Sequence, residues 1–167
     1  MKRAIAIGSA MAIALCAVVT LAAQGKDFSG KWSVDAEKTA AANPAAAAGG
    51  GGGRAGGGGG RGGAAVTVIT MDAKTMKIER QGADGTAMGS PTVYNLDGSV
   101  SKNEQAGRGG AAATTVESTA KWDGAKLVIT TKGANGDQVT SYWMDGANLT
   151  SERTTQNGAQ KTVYKKG

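Results

Sequence analysis

The sequence contains no histidine and a single cysteine, Cys16. Without histidine, imidazole acid–base catalysis, Ser-His-Asp triads and histidine-ligated metal sites are excluded. Because Cys16 lies in a segment that we expect to be removed, thiol nucleophiles, thiolate metal sites and disulfide bonds are excluded from the mature chain as well. Paired carboxylates remain open to a glycosidase-like mechanism, although most aspartates precede a glycine. The sequence therefore predicts a protein that is not an enzyme, with no cofactor and no metal.

Aromatic residues are also scarce, at 4% of the 167 residues, whereas glycine occurs 28 times. Any interior must therefore be built from Val, Ile, Leu and Met around a few Trp and Tyr side chains. The formal net charge is +6, and part of it lies in the first three residues. A modestly basic surface indicates weak affinity for anions and predicts no nucleic-acid partner.

The N-terminus has the pattern of an export signal. Lys2 and Arg3 precede an uncharged apolar run, Ala4–Ala23, that ends in small residues. This pattern predicts a secretory signal peptide over residues 1–23 and a single domain over 24–167, secreted or periplasmic, with no stable membrane span after cleavage. An uncleaved membrane anchor is the alternative, because the run is long enough to cross a bilayer.

Residues 36–65 form a low-complexity segment, rich first in alanine and then in glycine. We expect a flexible insert, with a short helix over 36–42 that ends before Pro44. The groups around Arg54 and Arg61 resemble the Arg-Gly-Gly segments of RNA-binding proteins, which makes binding of polyanions a further hypothesis. A solvated linker is the simpler interpretation, and the glycines lack the Gly-Lys-Ser/Thr ending of a phosphate-binding loop.

Turn motifs recur along the rest of the chain about every 10 to 14 residues, a spacing typical of an antiparallel meander. Asp-Gly and Asn-Gly pairs supply the positive φ angles that tight hairpins need. These pairs, with one glycine cluster, are Asp84-Gly85, Asp97-Gly98, Gly107–Gly110, Asp123-Gly124, Asn135-Gly136, Asp145-Gly146 and Asn157-Gly158.

The segments between the turns alternate as half-buried strands do. Val116, Ser118, Ala120 and Trp122, for example, share one face of their segment. The pattern predicts an all-β fold of eight to ten antiparallel strands. Since hairpins alone connect the later strands, the favoured architecture is an up-and-down meander closed into a barrel.

Two stretches carry a resemblance to a known group. Phe28-Ser29-Gly30-Lys31-Trp32 resembles the Gly-x-Trp start of the calycins, the lipocalins and fatty-acid-binding proteins, and Thr162–Lys166 is similar to the last strand of the fatty-acid-binding branch. The start also resembles that of short secreted bacterial proteins. The resemblance implies that Trp32 and Gly30 form a structural plug at one barrel end, with a basic residue of a late strand across the tryptophan. It implies a helical lid where this chain has its Ala/Gly insert, and a ligand-binding Arg-x-Tyr, of which only Tyr164 is present because Thr162 replaces the arginine.

Five residues are candidate ligand contacts. Arg80 and Arg153 share strand faces with apolar residues, so an inward orientation would place each guanidinium in or near the barrel mouth, where it favours a carboxylate or phosphate. Tyr164 would orient the polar head of a ligand. Trp122 and Trp143 alternate with small side chains, which leaves room for a cavity. The alternatives are solvent-exposed strand ends for the arginines and structural roles for the aromatic residues.

Two functions follow from these features. The first is an exported, non-catalytic barrel that binds a small apolar or amphipathic ligand. The second is a structural or interaction protein of the cell envelope, with a filled barrel and the glycine-rich segment as a contact surface. A cavity inside the barrel favours the first, and an interior packed solid favours the second.

Overall fold

The computed structural model describes residues 26–44, 65–107, 112–133, 136–155 and 158–167. The predicted signal peptide and the arginine-glycine segment around Arg54 and Arg61 lie outside these ranges. Within them, no helix is both long enough and apolar enough to span a bilayer.

Ten strands and one helix follow one another along the chain. They are β1 (Gly30–Val34), α1 (Ala36–Ala42), β2 (Val66–Met71), β3 (Thr75–Gln81), β4 (Thr92–Asn95), β5 (Val100–Gln105), β6 (Thr114–Asp123), β7 (Lys126–Thr131), β8 (Gln138–Asp145), β9 (Asn148–Thr155) and β10 (Gly158–Lys166).

The strands form a single antiparallel sheet, ordered β4-β3-β2-β1-β10-β9-β8-β7-β6-β5. Every neighbour in this order is also a neighbour in sequence, except β1 and β10. That pair joins the two ends of the chain, with Trp32 opposite Lys166 and Val34 opposite Tyr164. The predicted all-β meander and its nearly closed barrel are therefore confirmed, and β10 is the partner of the first strand.

The remaining seam of the barrel lies between β4 and β5, the two ends of the sheet order. Side chains bridge it. The Asn103 amide donates to the Val93 carbonyl at 2.9 Å and accepts from the Val93 N–H at 2.8 Å. The Asn95 N–H donates to Ser101 Oγ at 2.7 Å. A side-chain amide thus makes the pair of hydrogen bonds that a backbone neighbour makes elsewhere in the sheet.

The turn glycines adopt the backbone conformation that the motifs predict. Their φ angles are all positive: Gly85 81°, Gly98 85°, Gly124 58°, Gly136 105°, Gly146 61° and Gly158 107°. Aspartate side chains fix several turns by accepting backbone N–H donors, as Asp97 Oδ1 does from Ser99 at 2.8 Å. These hydrogen bonds, from the Ser99 hydroxyl and N–H, hold the pKa of the Asp97 carboxyl below its usual value.

The short helix predicted for residues 36–42 is present as α1, so the first part of the low-complexity segment is ordered. Its N-cap is Asp35, whose carboxylate accepts from the Lys38 N–H at 3.1 Å. Asn43, just after the helix, exchanges two hydrogen bonds with the backbone of Lys161, and Thr39 Oγ1 accepts from the Val163 N–H at 3.0 Å. The helix therefore covers the part of β10 that extends beyond the short strand β1.

Trp32, the predicted plug residue, is buried. Its side chain is 2% exposed, and its Nε1 donates to the Phe28 carbonyl at 2.8 Å. The ammonium of Lys166, on the last strand, lies 5.9 Å from the indole centroid. A Cβ on Gly30, whose φ is +146°, would approach the Lys166 stem to 3.3 Å. The positive φ favours glycine at position 30, whereas the contact with the flexible Lys166 stem is relieved by a small movement of that side chain.

Candidate functional site

The inside of the barrel is apolar towards one end. We call the end that contains Phe28 and Trp32 the closed end, and the opposite end, where β3 ends and β4 begins, the open end. Buried side chains pack against one another in the closed half; they are Phe28, Trp32, Ile69, Met76, Ala120, Leu127, Ile129 and Leu149. None of these side chains is more than 2% exposed. This half of the barrel is filled.

Strand register places polar side chains on the same inner face nearer the open end. Ile129 belongs to the core and pairs with Thr140, which pairs with Arg153. Side chains that oppose each other across a sheet point to the same side, so Arg153 faces inwards. On β3, Ile78 pairs with the core residue Ile69, and Arg80 lies two residues further along the same face. The two arginines thus face the interior from β3 and β9.

The open half contains a cavity of about 1000 Å³. Residues of β3 to β9 and of the loops at the open end line it, among them Arg80, Tyr94, Ser118, Thr131, Gln138 and Arg153. The Ser118 and Thr131 hydroxyls lie 2.9 Å apart on adjacent strands. A cavity of this volume is at the upper end of the range found for small-ligand sites, roughly 300–1,000 Å³.

Positive charge predominates around the cavity. Arg80 and Arg153 line it, against one carboxylate, Glu104; Lys132 also borders the cavity, but its ammonium pairs with Glu117 at 3.6 Å. Both arginine charges also interact electrostatically with Tyr142, a largely buried residue on the inner face of β8. Burial raises the pKa of the Tyr142 phenol far above its ordinary value because the phenolate loses its hydration, and the two guanidinium groups oppose that rise only in part. Burial likewise raises the pKa of Tyr94, again opposed by Arg80.

The structure brings together two of the five predicted ligand contacts, Arg80 and Arg153. Both remain exposed to solvent, as the mouth of an open cavity requires. Their predicted role in ligand binding remains a prediction, while their inward orientation is now a structural fact.

The three aromatic candidates lie elsewhere. Tyr164 and Trp122 face inwards, yet they pack against the core cluster, and the Trp122 ring lies 5.5 Å from that of Phe28. Trp143 is on the outer face, because its neighbour Tyr142 pairs with the core residue Leu127. There the ammonium of Lys126 lies 4.6 Å from the Trp143 ring centroid. The prediction that Trp143 contacts an internal ligand therefore needs correction.

Several residues of the cavity escaped the sequence analysis. On β8 both faces carry an aromatic residue, Tyr142 on one and Trp143 on the other, so alternation alone does not select the inner face. Gln138 and Thr131 are paired across β7 and β8. The available signal was Ser118, the partner of Thr131, because Ser118 shares a strand face with Ala120 and Trp122. Among the described residues, no group of three Asp, Glu, Cys or His side chains is placed to hold a metal ion.

The raised tyrosine pKa values predict a loss of stability in alkaline solution. The unfolded chain begins to lose tyrosine protons near pH 10, the ordinary phenol pKa, whereas the folded chain retains that of Tyr142. Unfolding then releases protons, so the free energy of unfolding falls as the pH rises, by up to about 1.4 kcal/mol per pH unit for each such tyrosine. Urea unfolding at about pH 9 and about pH 11 measures the slope. Tyr142→Phe should reduce it, and an unchanged slope in that variant would contradict the assignment.

Known structures share this fold at low sequence identity. The wild-type fluorescent protein UnaG matches with a TM-score of 0.55 and 16% identity, covering 84% of this chain and 97% of its own. The REP1-NXSQ fatty acid transporter matches with a TM-score of 0.53 and 14% identity, covering 84% and 96%. A secretary abundant heat soluble (SAHS) protein from Ramazzottius varieornatus matches with a TM-score of 0.55 and 16% identity, covering 86% and 97%.

Neither the protein-family models nor the curated proteins contain a match to this sequence. The structural matches nevertheless extend over nearly the full length of each known protein. The chain therefore has the fold of the fatty-acid-binding-protein-like calycins, a nearly closed barrel of ten antiparallel strands with a short helix after the first strand.

Proposed function

We propose that this protein is exported and binds a small anionic ligand in the open-end cavity without changing it chemically. The observation that carries the proposal is the presence of Arg80 and Arg153 in one cavity. A guanidinium keeps its charge throughout the physiological pH range and presents paired N–H donors that match the oxygens of a carboxylate or phosphate. An anionic group is thus the part of the ligand that the geometry specifies.

The surroundings of the arginines support an anion. Two guanidinium groups face one carboxylate, Glu104, in the lining, while the Lys132 charge at the rim is paired with Glu117. Because both guanidinium groups are exposed to solvent, each of their contacts with the ligand contributes less binding free energy than it would in a closed site. The excess of positive charge also raises the local concentration of anions and hence their association rate. We therefore expect moderate affinity with fast exchange.

Binding without catalysis is supported by the chemistry of the lining. Guanidinium groups do not exchange protons near neutral pH, and the sequence contains no histidine. The structural neighbours include a protein named as a fatty acid transporter. Export rests on the basic, then apolar, N-terminal pattern, and one neighbour is named as a secretary protein.

The envelope-protein alternative requires a filled barrel. The closed half is filled, but the cavity of about 1000 Å³ in the open half counts against this alternative. Its proposed contact surface, the glycine-rich tract, lies outside the described residues. We therefore retain ligand binding as the function that the geometry supports best.

Removing both inward guanidinium groups should weaken anion binding. We expect Arg80→Gln/Arg153→Gln to reduce the affinity for the best-bound of three probes, gluconate, glucose 6-phosphate and octanoate, by about tenfold or more, because charge-assisted hydrogen bonds are lost. Ligand-detected NMR with the full-length secreted protein measures binding of each probe, and isothermal titration gives the dissociation constants.

The matched control is Lys77→Gln/Lys161→Gln, which removes the same charge from the outer face. Lys77 and Lys161 pair there with Glu79 at 3.0 Å and Glu152 at 3.4 Å. We expect the control to bind as the unaltered protein does. Equal weakening in both double variants would reduce the effect to net charge, and no binding of any probe to the unaltered protein would refute the proposed function.

A further inference from the structure

We infer that the ligand is a compact, hydroxylated anion, such as a sugar acid or a sugar phosphate, rather than an anion with a long acyl chain. This inference rests on the proposed function and specifies the ligand class of the same cavity. It follows from two properties of the barrel interior, the location of its apolar surface and the composition of the cavity wall.

Most of the apolar surface inside the barrel is already covered by the packing of side chains on one another. The core side chains of the closed half pack on one another, and half-buried Met71, Ile78, Leu96 and Met144 pack against them. An acyl chain is stabilised by about 25 cal/mol for each Å² of apolar surface removed from water, which requires an apolar wall. In the cavity, apolar surface makes up only about half of the wall, and the wholly apolar side chains in it are Ala106 and Val116, whereas small-ligand pockets are usually lined predominantly by apolar groups.

The other half of the cavity wall consists of hydrogen-bonding groups. Hydroxyl side chains line it, together with the amides of Gln105 and Gln138; the hydroxyl residues are Ser90, Thr92, Thr114, Ser118 and Thr131. Covering a hydroxyl that otherwise bonds water with an alkyl chain costs about 1–3 kcal/mol. Several such contacts would cancel the gain from burying an acyl chain. Ligand hydroxyls would instead replace the water that these groups bind, directly or through bridging water.

The polar groups form a continuous strip beside the arginines. Across the sheet, Ser118 pairs with Thr131, and Thr131 pairs with Gln138. Two residues further along β8, Thr140 lies opposite Arg153 of β9, and Arg153 lies opposite Gln160 of β10. A ligand whose anionic group contacts Arg153 therefore has the amide of Gln138 and the hydroxyl of Thr131 as neighbours in the cavity wall, towards the open end. This spacing favours a compact ligand over an extended one.

The test compares anions that differ in the rest of the molecule. We expect gluconate or glucose 6-phosphate to bind at least about tenfold more tightly than octanoate, and neutral glucose to bind much more weakly than either, because the arginines need an anion. Octanoate binding as well or better, and weakened by Arg80→Gln/Arg153→Gln, would overturn the ligand class while leaving the proposed function intact. If none of the anions binds, both the ligand class and the proposed function are refuted.

A pair of threonine variants on β7 tests whether gluconate is bound by hydroxyl groups on the inner face of the barrel. Thr131→Val removes a hydroxyl from the cavity wall and should weaken gluconate binding about fivefold to tenfold, as expected for one hydrogen bond. Thr130→Val removes the adjacent hydroxyl, which points to the outer face, and should leave binding unchanged. If Thr131→Val does not fold, because it leaves buried Ser118 without its 2.9 Å partner, Gln138→Met tests the same strip. Unchanged gluconate affinity in a folded inner-face variant would contradict the inference.

Discussion

Replacing Trp32 by alanine should lower the free energy of unfolding by about 3–5 kcal/mol, the range for removal of a large buried aromatic side chain. Small domains are stable by only about 5–15 kcal/mol in total, so this change should remove a large part of the stability and lower the midpoint of thermal unfolding markedly. We expect no other single change discussed in this article to have a larger effect.

The reason is the number of separate contacts that Trp32 makes at the closed end. It is the largest of the fully buried side chains, and its indole N–H satisfies the Phe28 carbonyl. Phe28, which is 0% exposed, packs in turn against the ring of Trp122. Alanine would leave a cavity at the junction of β1 with the core, together with a buried carbonyl that has lost its donor.

Urea or thermal unfolding, followed by circular dichroism, measures the loss. Trp32→Phe should cost less than Trp32→Ala, because it retains much of the ring and loses mainly the hydrogen bond to Phe28. Trp143→Ala is the matched control, since Trp143 lies on the outer face with Lys126 above its ring, and it should cost only about 1 kcal/mol. Similar losses for Trp32→Ala and Trp143→Ala would contradict the assignment of Trp32 as the plug.

Replacing Asn103 by alanine should open the seam between β4 and β5. The change removes the partners of both backbone groups of Val93, the N–H at 2.8 Å and the carbonyl at 2.9 Å. Leaving such groups unsatisfied costs about 1–3 kcal/mol. Because β4 has only four residues and pairs otherwise with β3 alone, the cost should appear as local separation of the two strands.

Amide hydrogen exchange measured by NMR tests this prediction. The Val93 N–H should exchange about tenfold to a hundredfold faster in Asn103→Ala, whereas core amides of β7 should change much less. Lys102→Ala is the control, because Lys102 is exposed on the same strand and forms only a surface ion pair with Glu117 at 3.6 Å. Unchanged exchange at Val93 in Asn103→Ala would show that the side-chain amide does not hold the seam.

Much of the fold could be predicted from local sequence. Asp-Gly and Asn-Gly pairs mark hairpins because few residues other than glycine accept a positive φ at low cost, and the glycines of these pairs adopt such angles. The pairing of β1 with β10 is the closure that the predicted barrel requires. The seam between β4 and β5 could not be predicted. Its position depends on the accumulated twist of ten strands, which decides which neighbouring pair does not form a backbone ladder.

The site was predicted less completely than the fold. Arg80 and Arg153 were identified because each shares a strand face with apolar residues that we expected to face inwards, such as Ile78 and Leu149. Trp143 was misplaced because β8 has side chains of similar character on both faces, and a one-residue shift exchanges the two faces of a strand. Only the pairing of Tyr142 with the core residue Leu127 settles that choice.

The sequence by itself determined the class of fold and the turn positions, since each depends on local conformation or on strong alternation. It also excluded histidine and thiol chemistry, because the residues are missing. Tertiary structure alone decided which half of the barrel is filled and which polar side chains surround Arg80 and Arg153. Those features depend on register between strands far apart in sequence, and a cavity exists only once the walls around it have been assembled.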